Sequence, residues 1–270
     1  MTSIETQTRL HDTQEAFDSV AADYDGPRGN NASIQRMRSE MWRWLDRSFA
    51  PGSRLIDLGC GTGLDAVRMA GLGHHVTATD WSPQMVERTR DRAAREGLAG
   101  RVQALHVGAH ELEQIEEGGF DGAYSDLGPL NCVPDMDAVA RQCARLVRPG
   151  GQLVFTVINR WCPWEIWHCA RQNRWARAKV RFARDTVAVG MNRRTIWTRY
   201  FSGREFYRSF AEDFTLEHRR GLCVLVPPPY LDLSEAWQQR LWKADRLLAG
   251  WPGVRELGDH FLIVMTRRGS

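Results

Sequence analysis

Leu55-Ile-Asp-Leu-Gly-Cys-Gly-Thr-Gly-Leu64 is an apolar run that ends in an acid, Asp57, then passes through Gly59, Gly61 and Gly63 into a helix-compatible stretch. A buried strand that turns sharply into a helix, with no side chains at the turn, lets a ligand lie against bare backbone. The dinucleotide fingerprint G-x-G-x-x-G receives a pyrophosphate at such a turn. Here the pattern is D-x-G-x-G-x-G, with the last glycine one residue early. An acid just inside the turn disfavours a pyrophosphate and suits a ligand carrying positive charge. Taken alone, the glycines also fit an ordinary tight strand–helix junction.

A second signal lies 23 residues beyond Asp57, where Val76-Thr-Ala-Thr-Asp80 reads as another strand ending in a carboxylate. An acid at the end of the second strand of a doubly wound sheet is placed to accept hydrogen bonds from ribose hydroxyls. Ser82-Pro83 follows, a helix-start pair, so Ser82 can cap while Asp80 holds a sugar.

Strand patterns near 54–58, 75–79, 102–106, 120–125 and 152–158 alternate with helix patterns near 63–71, 83–96 and 134–147. Such alternation predicts a doubly wound, Rossmann-like α/β fold. We expect a mostly parallel sheet of about seven strands, helices on both faces and an α-rich cap insertion. Ligands in these sheets sit at the carboxyl ends of the strands. Upstream, Ile34 to Phe49 carries apolar residues at helical spacing, Ala16 to Tyr24 suits a short helix, and residues 1–15 read as a mobile tail. Downstream, Cys162 to Ala183 reads as one aromatic, Arg-rich helix and 187–200 as a hairpin. Phe214 to Val226 and His260 to Thr266 read as strands, and Leu233 to Ala249 as a helix. The expected organisation is a single domain over 1–270, with a lid segment at 1–33 and cap insertions at 160–202 and 227–258.

The chain resembles a class I S-adenosylmethionine-dependent methyltransferase of the small-molecule type. Five blocks between Ala16 and Thr156 carry the resemblance: Ala16 to Asp25, Asp57 to Gly63, Asp80-Trp-Ser-Pro-Gln-Met85, Phe120 to Leu127, and Leu146-Val-Arg-Pro-Gly-Gly-Gln-Leu-Val154. The resemblance implies S-adenosylmethionine as cofactor, S-adenosylhomocysteine as product and no metal. It implies cofactor contacts from Tyr24, Asp57, Gly59, Cys60, Gly61, Gly63, Asp80, Trp81, Met85, Gly108, Ala109, His110, Ser125 and Asp126. In it Asp57 supports the ammonium end, Asp80 takes the ribose and Trp81 lies beside the adenine. Gly108-Ala-His110 replaces the acid that many relatives offer to the adenine amino group, which leaves backbone or His110 to serve. Asp126 follows the fourth strand, where relatives line the transfer site, and is the carboxylate best placed to steer or deprotonate a nucleophile. Its alternative is a loop acid that orients a turn. Tyr24, His168 and His260 are further candidates for proton transfer.

Composition bounds the alternatives. At 270 residues and 43% apolar content the chain can bury one substantial core. No apolar run approaches the roughly 18 residues of a membrane span. The polar first residues do not resemble a signal peptide, and six scattered cysteines form no C-x-x-C pair, so a reduced, cytoplasmic protein is expected. From Arg160 to Arg220, 14 Lys/Arg stand against 6 acids, a local +8 in a chain of net charge +3. The expected partner is a small-molecule acceptor, anionic or aromatic, in place of nucleic acid. RNA or protein methylation through residues 160–220, or cofactor binding without transfer, are the competing readings. Pro227-Pro-Pro-Tyr230 is reminiscent of a DNA amino-methyltransferase signature but stands far from the fourth strand, so it reads as a stiff linker.

Overall fold

The computed structural model describes residues 3–27, 29–227 and 234–269. In chain order its helices are α1 (Ser3–Asp18), α2 (Ala32–Ser48), α3 (Leu64–Gly71), α4 (Pro83–Arg95), α5 (Met136–Leu146), α6 (Pro163–Arg171), α7 (Trp175–Ala178), α8 (Gly203–Phe210) and α9 (Glu235–Leu248). Its strands are β1 (Arg54–Leu58), β2 (His75–Asp80), β3 (Val102–His106), β4 (Phe120–Ser125), β5 (Val147–Ile158), β6 (Val187–Met191), β7 (Arg194–Thr198), β8 (Phe214–Leu222) and β9 (His260–Arg267).

Seven strands form one sheet in the order β3-β2-β1-β4-β5-β9-β8, and β6 and β7 form a separate hairpin. The pairs β2–β3, β1–β2, β1–β4 and β4–β5 are parallel, while β9 runs antiparallel between β5 and β8. The strand order reverses between β1 and β4, which opens a crevice at their carboxyl ends.

Both faces of the sheet are covered, which is why β1 and β4 are buried at nearly every position. On one face Ile56, Phe120 and Phe155 pack with Phe206 and Phe210 of α8. Phe206 and Phe210 stack with ring centroids 5.1 Å apart, and Phe155 meets both rings at an angle. On the other face Leu55, Tyr124 and Val154 pack with Met37, Met41 and Leu45 of α2, three residues one turn apart. Asn31 caps that helix by accepting from the N–H groups of Ser33 and Ile34.

Several local expectations change. Residues 3–18 form a helix where a mobile tail was expected. That helix is held by contacts with β7 and α4, because its own sequence is polar on nearly every side. The expected helix over 162–183 breaks at Asn173, which adopts φ 57°. The N–H of Arg174 then donates back to Cys169 O at 2.8 Å, an ending for which an Asn in the left-handed region is suited. The strand expected over 214–226 stops at Leu222, before Cys223 at φ 53°. Asn192 and Arg193, both with positive φ, make the two-residue turn between β6 and β7. The Pro227–Tyr230 linker lies outside the described residues from Pro228 onward. No helix among the described residues is long and apolar enough to cross a membrane.

Candidate active site

Where β1 ends, the N–H groups of Gly59 and Cys60 both donate to Thr79 O of β2, at 2.8 and 2.9 Å. This ties the glycine turn to the neighbouring strand end. Gly59 has φ 78°, and a Cβ there would lie 2.3 Å from the Pro129 side chain. Gly63 has φ 80°, and a Cβ would press on Thr89 at 2.8 Å. Both close approaches demand glycine. At Asp80 one carboxylate oxygen accepts from Gly61 N–H at 2.9 Å and the other from Ser82 N–H at 2.8 Å. Burial pushes the Asp80 pKa up to about 6, against the pull of those two N–H groups. Ser82 caps α4 through Met85 N–H, as its position before Pro83 suggested.

A cavity of about 260 Å³ opens at these strand ends. Of the expected residues, Tyr24, Gly59, Cys60, Gly61, Asp80, Trp81, Met85, Ala109, His110 and Asp126 line it together. Asp57, Gly63, Gly108 and Ser125 stand behind this wall. Asp57 is 2% exposed beneath the turn, and burial raises its pKa well above the usual carboxylate range. Ser125 Oγ donates to Leu58 O and staples β4 to β1. Gly108 leaves room for the rings of His110 and Trp81, whose centroids are 4.6 Å apart. Burial lowers the His110 pKa. His168 sits on α6, outside the cavity wall.

Asp126 occupies the floor. Its Oδ1 accepts from Leu127 N–H at 3.0 Å and from Thr156 Oγ1 at 2.6 Å, while its buried Oδ2 has no hydrogen-bond partner. That oxygen lies 4.0 Å from an Arg38 nitrogen. Burial, with Asp65 nearby, pushes the Asp126 pKa up to about 6. Burial also pushes Tyr24 up to about 12, so its hydroxyl serves as a hydrogen-bond donor near neutral pH.

Several wall residues escaped sequence reasoning. Arg38 of α2 points into the cavity, pairs with Asp65, and keeps its Nε without a partner. Burial opposes its charge, but Asp65 and Asp126 raise its pKa above the ordinary value. Leu10, Thr13, Gln14 and Phe17 come from α1, at a helical spacing that could have revealed them. Met191, Ile196 and Thr198 come from the hairpin, with Val133 and Ile158 beside them. Helix and hairpin are clasped together over the cavity. Trp197 Nε1 donates to Asp12 at 2.9 Å, Trp197 N–H to Thr13 Oγ1 at 3.1 Å, and Arg194 pairs with Glu15. Trp81 holds the other side by donating to Leu10 O.

Away from the cavity, Cys162, Glu165 and Asp259 gather in reach of one another. The buried guanidinium of Arg181 bonds to both carboxylates, so this cluster already has its cation. Burial would raise the Asp259 pKa, but Arg181 and His260 hold it below the usual range.

A parallel sheet reversing at a glycine turn, with an acid at each of two strand ends, defines a nucleoside-binding α/β domain. The family model described as "Methyltransferase domain" matches residues 55–151. Over 156 residues the chain is 36% identical to a ubiquinone biosynthesis O-methyltransferase of Xanthomonas axonopodis pv. citri, covering 54% of this chain and 62% of that one. The matched region thus spans less than two thirds of that relative's length. The N-methyltransferase NodS of Bradyrhizobium japonicum, solved with S-adenosylhomocysteine, superposes with a TM-score of 0.58 at 15% identity, covering 96% of this chain and all of that one. The [4+2]-cyclase SpnF superposes with a TM-score of 0.63 at 17% identity, over 95% and 96% of the two chains. The chain carries a methyltransferase domain on the class I S-adenosylmethionine-dependent methyltransferase fold.

Proposed function

We propose that this chain transfers a methyl group from S-adenosylmethionine to a hydroxyl of a small acceptor with an apolar or aromatic body. The observation that carries the reading is Asp80. Its two oxygens are aimed by the N–H groups of Gly61 and Ser82 at the cavity edge, each with lone-pair capacity left for a sugar hydroxyl. The remaining donor contacts fit the same molecule. Trp81 and His110 supply an aromatic wall for a flat base, and buried Arg38 supplies a cation for a carboxylate.

The donor, when bound, brings a methyl group already activated on a sulfonium. The chain aligns the nucleophile, excludes water and takes a proton. Asp126 Oδ2 is the proton acceptor in this reading, since Asp126 lines the cavity, Oδ1 is fully engaged and the buried Oδ2 has no hydrogen-bond partner. Its neighbours Leu127, Val133, Ile158 and Ile196 are apolar, which suits an uncharged acceptor body over an anionic one. A relative named as an O-methyltransferase of ubiquinone biosynthesis supports a hydroxyl as the nucleophile. Six free cysteines suit a reducing compartment such as the cytoplasm.

The test is transfer of labelled methyl from the donor into a panel of phenols and quinols, with S-adenosylhomocysteine measured as co-product. Donor binding with no S-adenosylhomocysteine released across that panel would instead favour a non-methylating protein, a possibility raised by the shared fold of the cyclase SpnF.

A further inference from the structure

We propose that the segment from Trp161 to Arg184 is a docking surface for an anionic lipid bilayer. Bulky aromatic side chains face solvent throughout it: Trp161 is 45% exposed, Trp167 47%, Trp175 56% and Phe182 36%. An exposed indole costs little at a lipid headgroup layer, where its ring is apolar and its N–H stays wet. Between these rings stand Arg171, Arg174, Lys179 and Arg184, all exposed and none in an ion pair among the described residues. The one acid of the segment, Glu165, is buried against Arg181 and also engaged by Arg177, so no exposed carboxylate within it repels an anionic surface. Aromatic rings interleaved with exposed cations, one of them Arg171 stacked 4.8 Å over Trp167, match the two layers of such a membrane, interface and charge.

The position gives the surface a purpose. The segment connects Ile158 at the end of β5 to Met191 at the end of β6, and both residues are walls of the cavity. A bilayer held at 161–184 would contact a segment that runs into the cavity wall on either side, a route by which an apolar acceptor dissolved in lipid could enter without crossing water. Lipid binding itself does not depend on the methyl-transfer reading.

The experiment is flotation of the full chain with vesicles of phosphatidylcholine alone or mixed equally with phosphatidylglycerol, read also by quenching of tryptophan emission with lipids brominated on their acyl chains. We expect flotation and quenching with the mixed vesicles and neither with phosphatidylcholine alone. Combining Arg171→Glu, Arg174→Glu and Lys179→Glu should reduce partitioning by roughly fivefold per cation or more. Trp167→Ser with Trp175→Ser should reduce the quenching by more than half, Trp161 supplying what remains. Calorimetry with S-adenosylmethionine shows whether each variant keeps its fold, since none of these residues lines the cavity; a failure of the parent chain to bind the donor would count against the methyl-transfer reading alone. No flotation with mixed vesicles, or equal flotation of the charge-reversed variant, would overturn the proposal. Salt-sensitive retention of single-stranded RNA without vesicle binding would overturn it in favour of a nucleic-acid surface.

Discussion

The backbone N–H of Gly61 donates to a carboxylate oxygen of Asp80 at 2.9 Å, joining the floor of the glycine turn to the tip of the neighbouring strand. One acid therefore does two things: it braces the turn and presents its remaining lone pairs to the cavity. The 19 residues that separate the two in sequence are bridged because β1 and β2 are parallel neighbours in register, with Asp57 opposite Ala78.

Removing that acid should weaken the donor more than the fold. Hydrogen bonds to a charged acceptor contribute about 1.5–3 kcal/mol each, so Asp80→Ala should raise the donor Kd by ~100-fold or more. Asp80→Asn, which keeps an acceptor for one N–H, should fall between. Calorimetric titration measures both, and unchanged affinity in the Ala variant would remove Asp80 from the site.

With Asp126 as the proposed proton acceptor, the reaction should show a pH limb. Asp126 must be ionised to accept a proton and its pKa is pushed up to about 6, so kcat/KM should rise as pH rises through that value and level off above it. Asp126→Asn should lose roughly 100-fold or more and flatten the limb. Stability moves the other way. The folded pKa lies above that of a free aspartate, so the contribution present at low pH is lost as pH rises through about 6. At neutral pH the Asn variant should therefore melt no lower than the parent, which separates lost chemistry from lost folding.

The clasp between α1 and the β6–β7 hairpin is testable by exchange. Trp197→Ala removes a donor to Asp12 and the ring under Arg9, whose guanidinium carbon lies 4.4 Å from the centroid. Together these contribute about 2 kcal/mol. Deuterium uptake across residues 3–18 should rise, and donor affinity should fall by about tenfold, because Leu10, Thr13, Gln14 and Phe17 wall the cavity. Unaltered uptake would mean that the helix is held elsewhere.

The turn glycines should separate by what stands behind them. Gly59→Ala drives a methyl into Pro129 at positive φ and should cost roughly 2 kcal/mol or more, read as a lower melting temperature. Gly61→Ala, with φ 55° and nothing nearer than Tyr24 at 3.9 Å, should cost about 1–2 kcal/mol of backbone strain and show its main effect as weaker donor binding.

The donor side was legible because parallel strands spend their residues on burial and place chemistry only at their ends. Asp80, Gly59 and Asp126 all follow that rule. Arg38 was not legible. On α2 it stands beside Met37 on a buried face, and nothing in the spacing shows that its partners are Asp65 and Asp126, 27 and 88 residues later. The N-terminal helix was hidden for a related reason. Its order comes from β7, and a polar stretch whose partner arrives 180 residues later carries little local sign of it. His168 illustrates the converse, a candidate for proton transfer that stands on α6 apart from the residues lining the cavity.

The donor half of the cavity is built almost wholly from residues before Gly128, whereas Met191, Ile196 and Thr198 arrive on a two-stranded tongue outside the main sheet. That division makes the tongue an exchangeable part. A hairpin of equal length transplanted between Thr186 and Arg199, with Arg194 and Trp197 retained so that α1 stays clasped over the cavity, would reshape the acceptor wall alone, so new specificities could be sought by exchanging the rest of the tongue in place of rebuilding a domain.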